Sequence, residues 1–166
     1  SHIVRLLVKK GHDVTVLMTE SATKFVGPLT FEALSGNAVH TSLWHQIDSH
    51  DSQHIALARK ADLMVIAPAS ANTIAKIANG ICDNVVTTVA CALPREPKGT
   101  PVLFAPAMNA EMWASPITQR NVSELTGTLG WQMVGPGEGW QACRTKGAGR
   151  MSEPEQILES IAPLLG

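Results

Sequence analysis

Ala105-Pro106-Ala107-Met108-Asn109-Ala110-Glu111-Met112-Trp113 is the stretch around which the rest of the chain is organised. It follows the short apolar run Val102-Leu103-Phe104, which is bounded by Pro101 and Pro106 and reads as a buried strand. Pro106 has no amide hydrogen, so it is expected to stop the strand's ladder. Asn109 then stands just past a strand end, where open α/β sheets place their ligands. Two readings fit it. Its carboxamide offers donors and an acceptor to a ligand, or its oxygen caps a short helix beginning near Glu111.

Working outward, residues 63–67 form a second apolar run. It leads into Pro68-Ala69-Ser70-Ala71-Asn72-Thr73 and then a helical pattern through Ile74, Ile77 and Ala78, closed by Gly80. Strand, small polar loop and helix in that order set hydroxyls, an amide and backbone N–H groups at a helix N-terminus, which suits a phosphate or other anion. No glycine-rich phosphate fingerprint accompanies them. Residues 14–18 are apolar and β-branched and read as a buried parallel strand. Thr19, Glu20 and Ser21 follow, with hydroxyls placed to cap the next helix or to meet a ligand.

Elsewhere the punctuation is local. Ile3, Leu6 and Leu7 predict a helix ending at Lys9-Lys10-Gly11, and residues 28–34 a short helix stopped by Ser35-Gly36-Asn37. Residues 84–92 read as a helix and 94–99 as a polar turn. Residues 116–129 read as a helix stopped by Gly130, and 132–134 as a short edge strand. Residues 135–150 carry five glycines and read as a long mobile loop that Trp140 gives something to dock with. Glu153 and Pro154 open a closing amphipathic helix, residues 153–165. Strands alternating with helices predict a doubly wound α/β fold, a parallel sheet with helices on both faces, in one domain over residues 1–166.

Composition excludes several classes. With 166 residues, 45% hydrophobic, and a formal net charge of −1, the chain offers no electrostatic case for nucleic acid or an acidic membrane. No apolar run approaches the roughly 20 residues that span a bilayer, and no signal peptide opens the chain. The three cysteines lack zinc-like clustering and fit reduced thiols in the cytoplasm. Cys82 and Cys91 sit in apolar sequence and read as packing residues, whereas Cys143 stands among glycines and charges. His40, His45, His50 and His54 are too irregularly spaced, with no cysteine among them, to predict a metal site. His54 differs because it opens an amphipathic helix, where the dipole disfavours the imidazolium and leaves a neutral base.

Four stretches recur in one known family in the same order. They are His54-Ile55-Ala56-Leu57-Ala58, Ala67-Pro68-Ala69-Ser70-Ala71-Asn72-Thr73, Pro106-Ala107-Met108-Asn109 with Met112-Trp113, and Ala142-Cys143 followed by Gly147-Ala148-Gly149-Arg150-Met151. Together they resemble the flavin-dependent cysteine decarboxylases, nearest to the branch that acts on phosphopantothenoylcysteine in coenzyme A biosynthesis. The resemblance implies a Rossmann- or flavodoxin-like fold and bound flavin mononucleotide (FMN). It implies that the substrate thiol is oxidised to a thioaldehyde, which provides an electron sink β to the carboxylate. Carbon dioxide then leaves, and the enethiolate is reduced and protonated.

By position, the resemblance makes His54 the active-site base, Asn109 the residue that holds the substrate carboxylate, and Cys143 the proton donor for the last reduction. Thr19, Glu20, Ser21, Ser70, Ala71, Asn72, Thr73 and Ala107 match flavin-contacting positions, and Trp140, Gln141 and Ala142 match a substrate-covering segment. The family also carries a further strand and a glycine-containing phosphate loop ahead of the position of Ser1, a strand missing from the chain given. Its members form homotrimers or larger homo-oligomers and are often fused to, or paired with, the synthetase that makes the phosphorylated cysteine conjugate. Two relatives with other outcomes resemble the chain less. A peptidyl-cysteine decarboxylase releases the enethiol and needs no reducing cysteine, and a non-catalytic flavin-fold subunit regulates a phosphatase. Cys143 in its matching context argues for the reducing enzyme.

Overall fold

The computed structural model describes residues 1–44, 52–95, 99–140 and 146–165. In chain order its elements are α1 (His2–Lys9), α2 (Glu20–Thr23), α3 (Pro28–Ser35), α4 (Gln53–Lys60), β1 (Met64–Ala69), α5 (Ala71–Ala78), α6 (Val85–Ala92), β2 (Val102–Pro106), α7 (Ala110–Ala114), α8 (Pro116–Ser123), β3 (Gln132–Met133), β4 (Gly137–Trp140), β5 (Lys146–Arg150) and α9 (Pro154–Ile161). They divide into two compact units, residues 1–60 with 82–94 and residues 61–81 with 95–166.

In the first unit Ile3, Leu6 and Leu7 of α1 are half-buried, and the helix packs on α3. Its end is the expected one, with Lys10 N–H bonded to Leu6 O and Gly11 at φ +87°. Proline at the first turn opens α3, and Gly36 closes it. α4 packs against α6, and Ala58 is fully buried in that unit. Lys60 Nζ donates to Asp13 Oδ2 at 2.9 Å and Asn37 Nδ2 donates to Asp13 Oδ1 at 2.7 Å. These bonds hold the Asp13 carboxyl below its ordinary range.

Two expectations for this unit are corrected. Residues 14–18 are extended, but among the described residues their ladder is a single parallel bridge between Leu17 and His40, with Met18 N–H on His40 O and His40 N–H on Val16 O. A β-branched run makes a segment extended, and only a neighbour of matching length makes it a strand. Cys82 and Cys91 are not packing residues, for both are exposed. Cys82 precedes α6, whose buried residues are Val85, Val86, Thr87, Val89 and Ala90, and Cys91 lies exposed in its last turn.

In the second unit β1, β2 and β3 form a parallel sheet in that order. β2 is central and buried throughout, as a strand covered on both faces must be. Its side chains Leu103 and Phe104 are the heart of the core, joined by Ile74, Leu125, Ile157 and Ile161. β3 is the short edge strand expected from the sequence. The helix of residues 116–129 is α8 followed by a wider turn, Glu124–Thr128, in which Leu129 N–H reaches back to Glu124 O. Gly130 at φ +67° ends it. Glu153 caps α9 rather than lying in its first turn, and its N–H bonds Gln156 Oε1 at 3.1 Å.

The expected loop of residues 135–150 is a correction as well. β4 and β5 pair antiparallel as a hairpin, Glu138 opposite Ala148 and Trp140 opposite Lys146. Glycine has little β-propensity, so the sequence concealed a hairpin held by its backbone ladder.

Candidate active site

Within the second unit, the carboxyl ends of β1 and β2 bring together residues 67–73, 106–113 and 147–151. β1 runs on through Pro68 to Ala69, past the expected end at residue 67, and its register against β2 shifts so that Ala69 lies opposite Pro106. Pro106 is the last residue of β2, but it does not stop the pairing, because Ala107 N–H donates to Ala69 O at 3.0 Å. The proline omits its own donor and the next residue supplies one. The side chains at these ends are small: Ala69, Ser70, Ala71, Ala105 and Ala107.

Ser70 caps α5, its Oγ accepting from Thr73 N–H at 3.3 Å and lying 3.2 Å from Thr73 Oγ1. Thr73 is buried, Ser70 and Asn72 are exposed, and Ala71 and Ala107 are half-buried. Asn109 is the cap of α7, with its Oδ1 accepting from Glu111 N–H at 2.8 Å. The capping reading is therefore the one the carboxamide oxygen obeys. α7 is tied to α8 by Gln119 Nε2, which donates to Trp113 O at 2.6 Å.

The hairpin is seated on this corner. Met108 N–H donates to Gly149 O at 2.9 Å, one residue before the Asn109 cap. Gly147 lies so close to α7 that a Cβ there would come within 2.9 Å of Ala110 Cβ. Arg150 pairs with Glu153 just ahead of α9. Trp140, at the end of β4, is 68% exposed. Gln141, Ala142 and Cys143 lie outside the described residues.

In the first unit Thr19 caps α2, its Oγ1 accepting from Ala22 N–H at 3.1 Å, while Glu20 and Ser21 are exposed in the first turn. His54 is the second residue of α4 and half-buried. Beside it, Gln53 Nε2 lies 2.7 Å from His40 Nδ1. That contact ties the start of the His54 helix to the bridge that leads into Thr19. Sequence reasoning missed it, because it weighed His40 only as a metal ligand. His45 and His50 lie outside the described residues, among which no group of three metal-ligating side chains occurs. No helix among the described residues is long and apolar enough to cross a membrane.

Known proteins share this fold. The crystal structure of the FMN-dependent cysteine decarboxylase SpaF superimposes with a TM-score of 0.81 at 30% identity, covering 99% of this chain and 88% of that one. A PPC decarboxylase variant complexed with pantothenoylaminoethenethiol gives 0.76 at 30% identity, covering 97% and 91%. The doubly wound α/β fold is thus that of these structures. The chain is 44% identical over 155 residues to the probable phosphopantothenoylcysteine decarboxylase of Streptococcus mutans serotype c, covering 93% of this chain and 84% of the relative. It is 42% identical over 160 residues to the coenzyme A biosynthesis bifunctional protein CoaBC of Haemophilus influenzae, where it covers 96% of this chain but spans only 38% of the relative. The sequence model of the family described as Flavoprotein matches residues 1–166. A match of that extent, with relatives above 40% identity, means that this chain belongs to the Flavoprotein family.

Proposed function

We propose that the chain catalyses the FMN-dependent decarboxylation of phosphopantothenoylcysteine to phosphopantetheine and carbon dioxide, a step of coenzyme A biosynthesis in the cytoplasm. The observation that carries this reading is the convergence on one corner of Ala69, Ala107, Met108 and Gly149 through the bonds Ala107 N–H to Ala69 O and Met108 N–H to Gly149 O.

The residues at the strand ends fit a flavin. Small side chains at Ala69, Ser70, Ala71 and Ala107 let a flat ring approach the backbone. The first-turn amides of α5, beyond the one Ser70 caps, suit an anionic or carbonyl oxygen. Ser70, Ala71, Asn72, Thr73 and Ala107 would hold the cofactor there, and Thr19, Glu20 and Ser21 are its further contacts. When bound, FMN supplies a reversible two-electron acceptor for the substrate thiol.

The chain's own residues do the rest. His54 takes the thiol proton. Asn109 holds the substrate carboxylate through its amide N–H₂ while its Oδ1 keeps the cap bond to Glu111, so the two roles use opposite ends of one carboxamide. Trp140, Gln141 and Ala142 cover the substrate and exclude water, and Cys143 gives the proton that completes reduction. Residues 1–166 act as one flavoprotein domain, in a homotrimer or larger homo-oligomer, on the product of a synthetase that is either fused or separate.

The test is a visible absorption spectrum of the purified protein followed by product mass after incubation with phosphopantothenoylcysteine. A flavin spectrum and a product lighter by carbon dioxide alone are expected. A product lighter by two further hydrogens would assign the chain to the enethiol-releasing reaction, and no mass change with flavin bound would remove the enzyme reading.

A further inference from the structure

The exposed thiols of Cys82 and Cys91 have no part in that chemistry, and both belong to the first unit. Cys82 stands just ahead of α6 and Cys91 lies in its last turn. Two hydrogen bonds press Cys82 onto one side of the helix. Thr88 Oγ1 donates to Cys82 O at 3.1 Å, and Cys82 Sγ donates to Thr87 O at 3.8 Å. In an α-helix the Thr87 carbonyl also receives the N–H four residues on, which is that of Cys91. Thr88 and Cys91, three apart, share a helix face. The Cys82 sulfur is therefore held at the carbonyl that anchors the Cys91 amide. Desolvation, the hydrogen bond with the Cys91 thiol, the charge of that thiol and that of Asp83 push the Cys82 thiol up.

We propose that Cys82 and Cys91 form a dithiol modification site, closed to an intramolecular disulfide by exchange with small-molecule disulfides. Cys91 attacks first, because the Cys82 thiol donates to Thr87 O and is pushed up, which makes it the poorer nucleophile. Its sulfur bonds to one sulfur of the small disulfide and the other leaves as a thiolate. Cys82 then gives up its proton and attacks the Cys91 sulfur of the mixed disulfide, releasing the second small thiol. The protein pair loses two electrons and two protons, and the small disulfide takes them up as two thiols. The new bond ties the segment before α6 to the last turn of that helix, reinforcing the Asn84 cap, whose Oδ1 accepts from Val86 and Thr87 N–H at 3.1 Å.

The test incubates the complete protein with glutathione disulfide, alkylates it, and maps the peptides by mass spectrometry. The Cys82 and Cys91 thiols should be lost to a cross-link between them with no glutathione retained, and Cys143 should remain alkylated. Cys82→Ser should instead retain glutathione on Cys91, and Cys91→Ser should react severalfold more slowly at Cys82. Glutathione stably held on Cys91 of the unsubstituted protein, or a cross-link from either thiol to Cys143, overturns the proposal.

Discussion

Gly147→Ala tests whether the seat of the hairpin on α7 is as close as the structure has it. The added Cβ would come 2.9 Å from Ala110 Cβ, and both atoms are fixed to backbone, so no rotamer change relieves the contact. Ordinary carbon–carbon contact lies at about 3.5–4.0 Å, so hairpin and helix must part by about 0.6–1.1 Å. Overpacking of this kind costs about 1–3 kcal/mol. The parting falls on the bond from Met108 N–H to Gly149 O, now 2.9 Å, and lengthens it past the roughly 3.2 Å limit of a good N–H···O bond. Expressed as local opening, that cost raises the open population at Met108 about 5–150-fold. Native-state hydrogen exchange at the Met108 amide reads it directly. Ala110→Gly in the same chain removes the opposing Cβ and should restore most of the protection, less the roughly 1 kcal/mol that glycine costs in a helix. Unchanged protection in Gly147→Ala, or equal loss with and without Ala110→Gly, would refute the reasoning.

Asn109→Asp keeps the cap of α7, since aspartate caps as well as asparagine, so the unfolding midpoint should hold. It also sets a carboxylate against the substrate's, which at about 4 Å and an effective dielectric near 20 costs roughly 4 kcal/mol, or about a thousandfold in kcat/KM; a near-normal rate would show that Asn109 does not face the acid. His54→Asn should keep the flavin but abolish its reduction by substrate, and normal carbon dioxide release would take His54 out of the mechanism. Cys143→Ser should accumulate a product lighter by two hydrogens, and saturated product at the normal rate would deny its role as donor. Asp13 titrates below its ordinary value when folded, through the bonds from Lys60 and Asn37. Its stabilisation is therefore whole above about pH 4 and fades as pH falls through the lower folded value. Asp13→Asn should flatten that acid limb in urea titrations and lower stability at pH 7 by the same small amount, the pair being exposed. An unaltered limb would mean the pair contributes nothing.

What could be read from the sequence was what short-range chemistry dictates. Val102, Leu103 and Phe104 announce a buried strand by composition, and Gly36, Gly80 and Gly130 close helices at positive φ where local pattern puts them. The capping residues Thr19 and Asn109 are legible for the same reason, because a cap bonds within three residues of itself. What stayed hidden depends on partners distant in the chain. Residues 14–18 look like a strand until one asks how much neighbour they have. The hairpin of β4 and β5 is composed of residues that avoid sheets, and its seat against Ala110 exists only in three dimensions. Cys91 has apolar neighbours in sequence, but its place in the last turn of α6 leaves it exposed. The motifs therefore named the candidate site, while the hydrogen bonds from Ala107 to Ala69 and from Met108 to Gly149 show which of its parts meet.

Residues 82–94 belong to the first unit although they lie in the chain between two strands of the second. A ribosome delivers α4 well before α6, the helix it packs against, and in between it must deliver β1 and α5 of the other unit. Neither unit is thus an uninterrupted run of codons. A gene cut after Lys60 deprives the first unit of Val85, Val86, Val89, Ala90 and Leu93, all buried, and leaves fully buried Ala58 without the helix beside α4. Recombination that moved the first unit to a new protein would have to carry β1 and α5 along with it.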